Sequence, residues 1–302
     1  MNILGVTSMR NEGPYLLEWF AHHLGAGVNS FLVYSNDCED GTDDMLALLD
    51  RAGVLTHVPH QPLTGKSIQW QAFQAAWKHD LRKSADWVLV SDVDEFLNIH
   101  VDGQTIPDLL QAMPEDIDGV VIPWRLFGHN DKLSIEDAPV TEQFTASIPA
   151  DAVYPPATTF FKMLFRAKGP FNQLGVHRPK QKPPEKAGLP ILVDGGGLAL
   201  PFEFAAQPQR ISLYDISNGR ALVEMNHYAI RSAAAFLIKR ARGLPDRRGK
   251  AVDLSYWVER NFNTEENTSI RPMSGATAEH LDRLRALPGM AELHNHAVDW
   301  HR

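Results

Sequence analysis

Through its first 125 residues the chain alternates short apolar runs with longer stretches of helical periodicity, a rhythm that few folds accept. Ile3 to Thr7 reads as a strand, and Arg10 to Gly13 as a polar loop. Pro14 suits the first turn of a helix. Leu16, Leu17, Phe20, Ala21 and Leu24 recur at helical spacing up to Gly25 or Gly27. A second strand is expected at Phe31–Tyr34, and a second helix on Met45, Leu46, Leu48 and Leu49. Val54–Val58 makes a third strand, Ile68–Leu81 a third helix and Trp87–Val90 a fourth strand. Strands separated by helices predict an α/β fold: a mostly parallel, Rossmann-like sheet with helices on both faces. Ligands of such sheets sit beyond the carboxyl ends of the strands. The polar loops Arg10–Gly13, Asn36–Gly41 and Ser91–Glu95 all fall at that edge.

Beyond Gly119–Trp124, read as another strand, the rhythm fades. Residues 126–215 carry many prolines and glycines, with short strands such as Phe160–Phe165 between loops. They predict an irregular half that shapes an acceptor site. A basic amphipathic helix is expected over Ser232–Arg242, with further helices over Leu254–Arg260 and Ala278–Ala286. The expected division is a domain over residues 1–245, in halves 1–125 and 126–245, with a helical extension over 246–302.

Charge narrows the function. The chain has 302 residues, with 29 Lys and Arg against 37 Asp and Glu, a formal charge of −8. That balance argues against a general nucleic-acid binder. The single cysteine, Cys38, allows no internal disulfide, which fits a reducing compartment. The N-terminus has no basic segment or cleavage site of a signal peptide, and no apolar run approaches the roughly 20 residues of a membrane span. The expected location is cytoplasmic, at the inner face of a membrane if the acceptor is lipid-linked.

The segment Trp87-Val-Leu-Val-Ser-Asp92-Val-Asp94-Glu95-Phe96 carries the most chemistry. An apolar strand delivers two carboxylates, two residues apart, to the sheet edge. Strand alternation puts positions i and i+2 on one side. Like charges so close repel unless a cation lies between them. Mg²⁺ and Mn²⁺ take one or two carboxylates plus phosphate oxygens, so the pair suits a metal–diphosphate. The competing reading is a solvated acidic turn.

Several motifs together carry a resemblance. Met9-Arg10-Asn11-Glu12-Gly13-Pro14-Tyr15-Leu16-Leu17-Glu18-Trp19, Gly41-Thr42 after an acidic turn, and Asp92-Val-Asp94-Glu95-Phe96 occur in that order. Trp124-Arg125-Leu-Phe127-Gly128, Gly175-Val-His177-Arg178-Pro179 and Asn226-His227-Tyr228 follow. This set resembles the bacterial glycosyltransferase 2-like proteins of the GT-A fold, and the related family with a DVDEF core, over roughly residues 1–245.

The resemblance implies a metal-dependent, inverting transfer of a sugar from a nucleotide-sugar donor to an acceptor hydroxyl. Thr7, Arg10, Asn11 and Glu12 would lie against the base and ribose. Asn36, Asp37 and Asp40 fall in the acidic turn that reads the base, with Asp37 and Asp40 both candidates. Asp92 and Asp94 match the motif that binds metal and donor, and His227 a histidine that completes the metal site. An imidazole ligand favours Mn²⁺ over Mg²⁺. UDP is the favoured nucleotide, a glycan or lipid-linked acceptor the expected partner, and polysaccharide or cell-envelope synthesis the expected setting.

From the residues themselves, Asp131, His177 and Glu95 are the candidates for the general base. Trp124 and Arg125 could contact the sugar. Lys66, after Gly65, is a candidate for the diphosphate, although the rest of a phosphate-binding loop is missing. Arg231, Lys239, Arg240 and Arg242 are candidates for the diphosphate or an anionic membrane, against a solvated helix face. Two other functions compete. A sugar nucleotidyltransferase would open with a Gly-rich basic loop, whereas residues 8–13 hold one Gly and one Arg. A catalytically inactive nucleotide-sugar-binding domain would be free to lose the Asp92/Asp94 pair.

Overall fold

In the computed structural model, which describes residues 1–61, 63, 67–243 and 252–302, strand β1 (Ile3–Met9) lies inside a nine-stranded sheet. Helix α1 (Gly13–Gly25) follows, then β2 (Ser30–Ser35), α2 (Thr42–Arg51) and β3 (Thr56–Pro59). Helix α3 (Ile68–Lys78) is capped by the Ser67 side chain, which accepts from Trp70 N–H. The expected helix to Leu81 breaks at His79, whose extended backbone begins a separate turn over Asp80–Ser84. Then come β4 (Trp87–Val90), β5 (Glu95–Ile99) and β6 (Gly119–Leu126).

Strands β3, β2, β1 and β4 are parallel neighbours in that order. The strand Phe161–Arg166 then runs antiparallel between β4 and β6. Beyond β6 lies Val223–His227, parallel to β6 and antiparallel to β5 at the edge. The short strand Leu192–Asp194 also pairs with β6. The segment that reads as irregular thus completes the sheet begun by the first half. The strand expected at Phe160–Phe165 is present as Phe161–Arg166, whereas Leu192–Asp194 and Val223–His227 are short and follow long loops, so no periodic signal marks them.

Alternation explains the burial. Trp87 and Leu89 of β4 enter one apolar core, Val88 and Val90 the other. Phe31 and Val33 of β2 likewise oppose Leu32 and Tyr34. Such two-sided burial is what a helix-covered parallel sheet requires. Helix Ala233–Arg242 begins at Ser232, whose hydroxyl accepts from Ala235 N–H, and helices Leu254–Val258 and Ser274–Arg285 follow. A last helix, Met290–His301, falls within the helical extension expected over 246–302, although its bounds carried no separate signal. No helix among the described residues is long and apolar enough to cross a membrane.

Candidate active site

The carboxyl ends of β1, β2, β4, β6 and Val223–His227 meet the amino end of Phe161–Arg166 at one edge of the sheet. A cleft of about 720 Å³ opens there. Arg10, Asn36 and Asp37 line it on the β1–β2 side, and Trp124, Phe160, His177 and His227 on the β6 side. Asp92 and Asp94 lie between, and Lys239, Arg242, Tyr256 and Arg260 border it from the later helices.

The two aspartates diverge. β4 ends at Val90, and residues 91–94 form a turn closed by Glu95 N–H donating to Asp92 O at 3.0 Å. Strand periodicity therefore no longer places the side chains together. Asp92 Oδ2 accepts from Lys162 Nζ at 2.9 Å, and Asp92 Oδ1 from Gln69 Nε2 at 3.1 Å. Asp94 Oδ2 accepts from Lys239 Nζ at 2.5 Å, and Asp94 Oδ1 lies 3.6 Å from His227 Nε2. Burial alone would raise the Asp94 carboxyl, but Lys239, His227 and Arg231 outweigh it and hold the group well below the usual carboxylate range.

Lys162 is fully buried, and its Nζ also lies 3.1 Å from Glu95 Oε2. Desolvation opposes its charge, but Asp92 and Glu95 hold its pKa above the ordinary lysine value. Glu95 lies beneath the cleft, where its Oε2 accepts from Asp92 N–H at 2.8 Å. Burial pushes its carboxyl up to about 8 despite the Lys162 ammonium. Lys162 and Glu95 therefore shape the turn from below.

A second charged cluster braces the first loop. Arg231 donates to Glu12 Oε2 and to Val93 O, both at 2.9 Å, and its guanidinium lies 3.7 Å from the Tyr15 ring centroid. Arg242 pairs with Glu12 and donates to Asn11 O at 3.0 Å. Burial would raise the Glu12 carboxyl, but Arg242 and Arg231 bring it below its ordinary value. Lys239 and Arg242 thus face inward, although a basic helix reads as a solvated face.

On the β6 side, His177 packs against the rings of Trp124 and Phe160, with centroids 5.1 and 5.4 Å away. His177 Nδ1 is 3.0 Å from Phe161 O, a carbonyl that can only accept. Burial, aided by Lys162, lowers this histidine to about 4. It is therefore neutral near pH 7, with the proton on Nδ1 and the lone pair on Nε2. The His227 ring lies 4.1 Å from Trp124, and burial lowers its pKa against the pull of Asp94.

The remaining candidates divide between the cleft and other parts of the fold. Asp131, at a left-handed backbone position, leaves its side chain 98% exposed and does not line the cleft. Thr7 is buried in β1. Asn11 accepts from Glu39 N–H at 2.8 Å and ties the first loop to the acidic turn. Asp40 is buried and bound to backbone N–H groups, while Asn36 and Asp37 reach the cleft. Arg125 follows Trp124 on β6, so it points to the opposite face and pairs with Ser147 and Glu265. Lys66 lies outside the described residues.

Sequence reasoning missed Lys162, Gln69, Tyr256 and Arg260. A lysine inside the apolar run Phe160–Phe165 was the available signal for the first, because an unpaired charge does not stay in a sheet core.

Residues 6–194 match the model of glycosyltransferase family 92. A family 92 protein of Oryza sativa subsp. japonica is 28% identical over 151 residues, covering 48% of this chain and 24% of that protein. One of Ricinus communis is 31% identical over 99 residues, 31% of this chain and 16% of its own. The matches thus span about a quarter or less of these relatives' lengths. Among solved structures, TarS of S. aureus superposes with a TM-score of 0.33 at 15% identity, over 55% of this chain and 28% of that one. Glucosyl-3-phosphoglycerate synthase from Mycobacterium tuberculosis, in complex with Mg²⁺ and UDP, gives 0.30 at 18% identity, over 41% of this chain and 43% of its own. With the family model covering more than half its length, the chain belongs to glycosyltransferase family 92.

Proposed function

We propose that this chain transfers a sugar from a nucleoside-diphosphate sugar to an acceptor hydroxyl, with both substrates held in the cleft at the carboxyl edge of the sheet. The observation that carries the reading is the Asp92–Asp94 turn at the end of β4, opening onto that cleft between a polar wall and an aromatic one. Family membership and the GT-A-like motifs support it. In this reading Arg10, Asn36 and Asp37 contact the nucleotide, UDP being favoured. Trp124, Phe160 and His177 border the acceptor, a glycan or a lipid-linked sugar.

The fit to Mn²⁺ or Mg²⁺ is with two protein donors. Among the described residues no group of three His, Cys, Asp or Glu side chains is placed to hold a metal ion. Asp94 and His227 offer an oxygen and a nitrogen 3.6 Å apart, and the His227 Nδ1 atom is buried without a partner. Asp94 and His227 would hold the ion, with donor phosphate oxygens filling the rest of its shell. When bound, it would neutralise charge on the departing nucleoside diphosphate.

The chain's own residues supply the other requirements. Lys239, Arg242 and Arg260 add positive charge where the diphosphate would lie. Lys162 and Gln69 fix the Asp92 side chain. His177 Nε2 accepts the proton of the acceptor hydroxyl as the new glycosidic bond forms and the bond to the diphosphate breaks. An inverting outcome follows from a single displacement.

A screen of nucleotide sugars, assayed for nucleoside diphosphate release with and without Mn²⁺, tests the reading. Release from one donor, enhanced by a glycan acceptor, is expected. Diphosphate release from a sugar phosphate and a nucleoside triphosphate would instead identify a nucleotidyltransferase. Donor binding without turnover would identify an inactive binding domain.

A further inference from the structure

The last helix, Met290–His301, lies outside the family match at residues 6–194, yet it packs against both loops on the β1–β2 side of the cleft. His301 Nε2 is 2.8 Å from Asp40 Oδ2, with the two residues 4% and 0% exposed. Asp40 joins the loops. Its Oδ2 accepts from Gly13 N–H at 2.9 Å and its Oδ1 from Thr42 N–H at 3.0 Å. Thr42 Oγ1 in turn accepts from Glu12 N–H at 3.0 Å. One buried carboxylate therefore ties the start of α1 to the start of α2, and the helix supplies its side-chain partner.

Two glycines record the same contact. A Cβ on Gly13 would lie 2.4 Å from Ala297 Cβ. Gly41, at φ +86°, has the His296 ring 3.2 Å from its Cβ position. The start of α1 thus approaches the helix more closely than a side chain permits, and Gly41 holds a left-handed backbone beside it. The contact also extends to the acidic turn. The His301 ring meets Tyr15 edge-on at 6.1 Å, Tyr15 stacks with Arg231, and Arg231 holds Glu12 and Val93 O.

We infer that His301 is a positioning residue: through Asp40 and Tyr15 the last helix sets the Arg10–Gly13 loop and the Asp92–Asp94 turn for a nucleoside diphosphate. The nucleotide in this inference rests on the function proposed above; the positioning of the loops does not. The helix is then a working part of the site, outside the residues that identify the family. Burial would raise the Asp40 carboxyl, but hydrogen bonds from His301, Thr42 and Gly13 bring it below its ordinary value, as an ionised partner of all three.

The test compares His301→Leu and His301→Gln in the full chain by amide hydrogen exchange and by titration with UDP and GDP. His301→Leu removes the bond to a buried charge, so exchange at Gly13 and Thr42 should quicken, and nucleotide binding weaken, by about tenfold. Amides of β1 and β4 should keep their wild-type rates. His301→Gln, whose amide reaches the same carboxylate, should restore most of both. Unchanged loop amides in folded His301→Leu would overturn the inference. So would equal losses in His301→Gln spread over the central strands, because that is general destabilisation. If His301→Leu does not fold, His301→Asn, too short to reach Asp40, must show the same local loss. Failure of the wild-type chain to bind either nucleotide would count against the proposed function alone, since the exchange comparison needs no ligand.

Discussion

Lys162 Nζ lies 2.9 Å from Asp92 Oδ2, at the centre of a sheet where no part of the lysine side chain meets solvent. The ammonium satisfies Asp92 and Glu95 together, so one cation fixes the turn that carries both cleft aspartates. Removing it leaves the buried Glu95 carboxyl and the part-exposed Asp92 beside each other with no cation between them. Lys162→Met should destabilise the chain by about 3–5 kcal/mol, the usual cost of breaking a buried ion pair on one side. Urea unfolding measures this, and a loss below about 1 kcal/mol would show that the turn does not depend on the lysine.

Asp94 and Lys239 form the second cation–carboxylate contact. Asp94→Asn keeps the volume but gives up the charge that faces Lys239 and His227. Donor turnover should fall about a hundredfold or more, as when a preorganised electrostatic group is removed. Any stimulation by Mn²⁺ should disappear with it. Wild-type response of the variant to Mn²⁺ and to chelator would remove Asp94 from the metal assignment.

His177 and Asp131 separate cleanly by location. His177→Gln should lower kcat about a hundredfold while leaving donor KM nearly unchanged, as expected for loss of a general base. Asp131→Asn, on a side chain 98% exposed, should match the wild type. Steady-state kinetics on the two variants decides, and the reverse ranking would move the base to the loop.

Stability should depend on pH through buried histidines. His22, His23 and His177 are lowered by burial to about 4, about 3 and about 4. A depressed histidine stays neutral in the folded chain while the unfolded chain protonates below its ordinary value near 6.5. Stability is therefore complete above about pH 6.5 and declines toward pH 4, at up to about 1.4 kcal/mol per pH unit for each group. Glu95 and Glu18, both raised by burial, act in the opposite sense over part of this window but are two groups against these three histidines and His227, which burial also lowers. Urea midpoints at about pH 5 and about pH 6.5 test the sign, which should favour the higher pH.

What was legible in the sequence follows the physics of each signal. Strand and helix periods are local, so β1, α1, β2 and β4 could be read directly, and with them the edge where the cleft opens. The split of Asp92 from Asp94 was not legible, because period 2 holds only while the strand lasts and β4 stops at Val90. Lys162 and Lys239 reach the aspartates from 70 and 145 residues away in the chain. No local pattern encodes such partners. The basic helix read as solvated because its period gives a face without saying what that face meets. Asp40 read as a base-contacting residue because its covering helix lies more than 250 residues further along, at His301.

The proposed function rests on one event, release of a nucleoside diphosphate from a nucleotide sugar in the cleft that holds Asp94. The direct measurement is that release, in the presence of Mn²⁺ and a glycan acceptor, from wild type and Asp94→Asn side by side. Acceptor-stimulated release by the wild type and nearly none by the variant is the expected result. Equal release by the two proteins, or none from any nucleotide sugar, would contradict it.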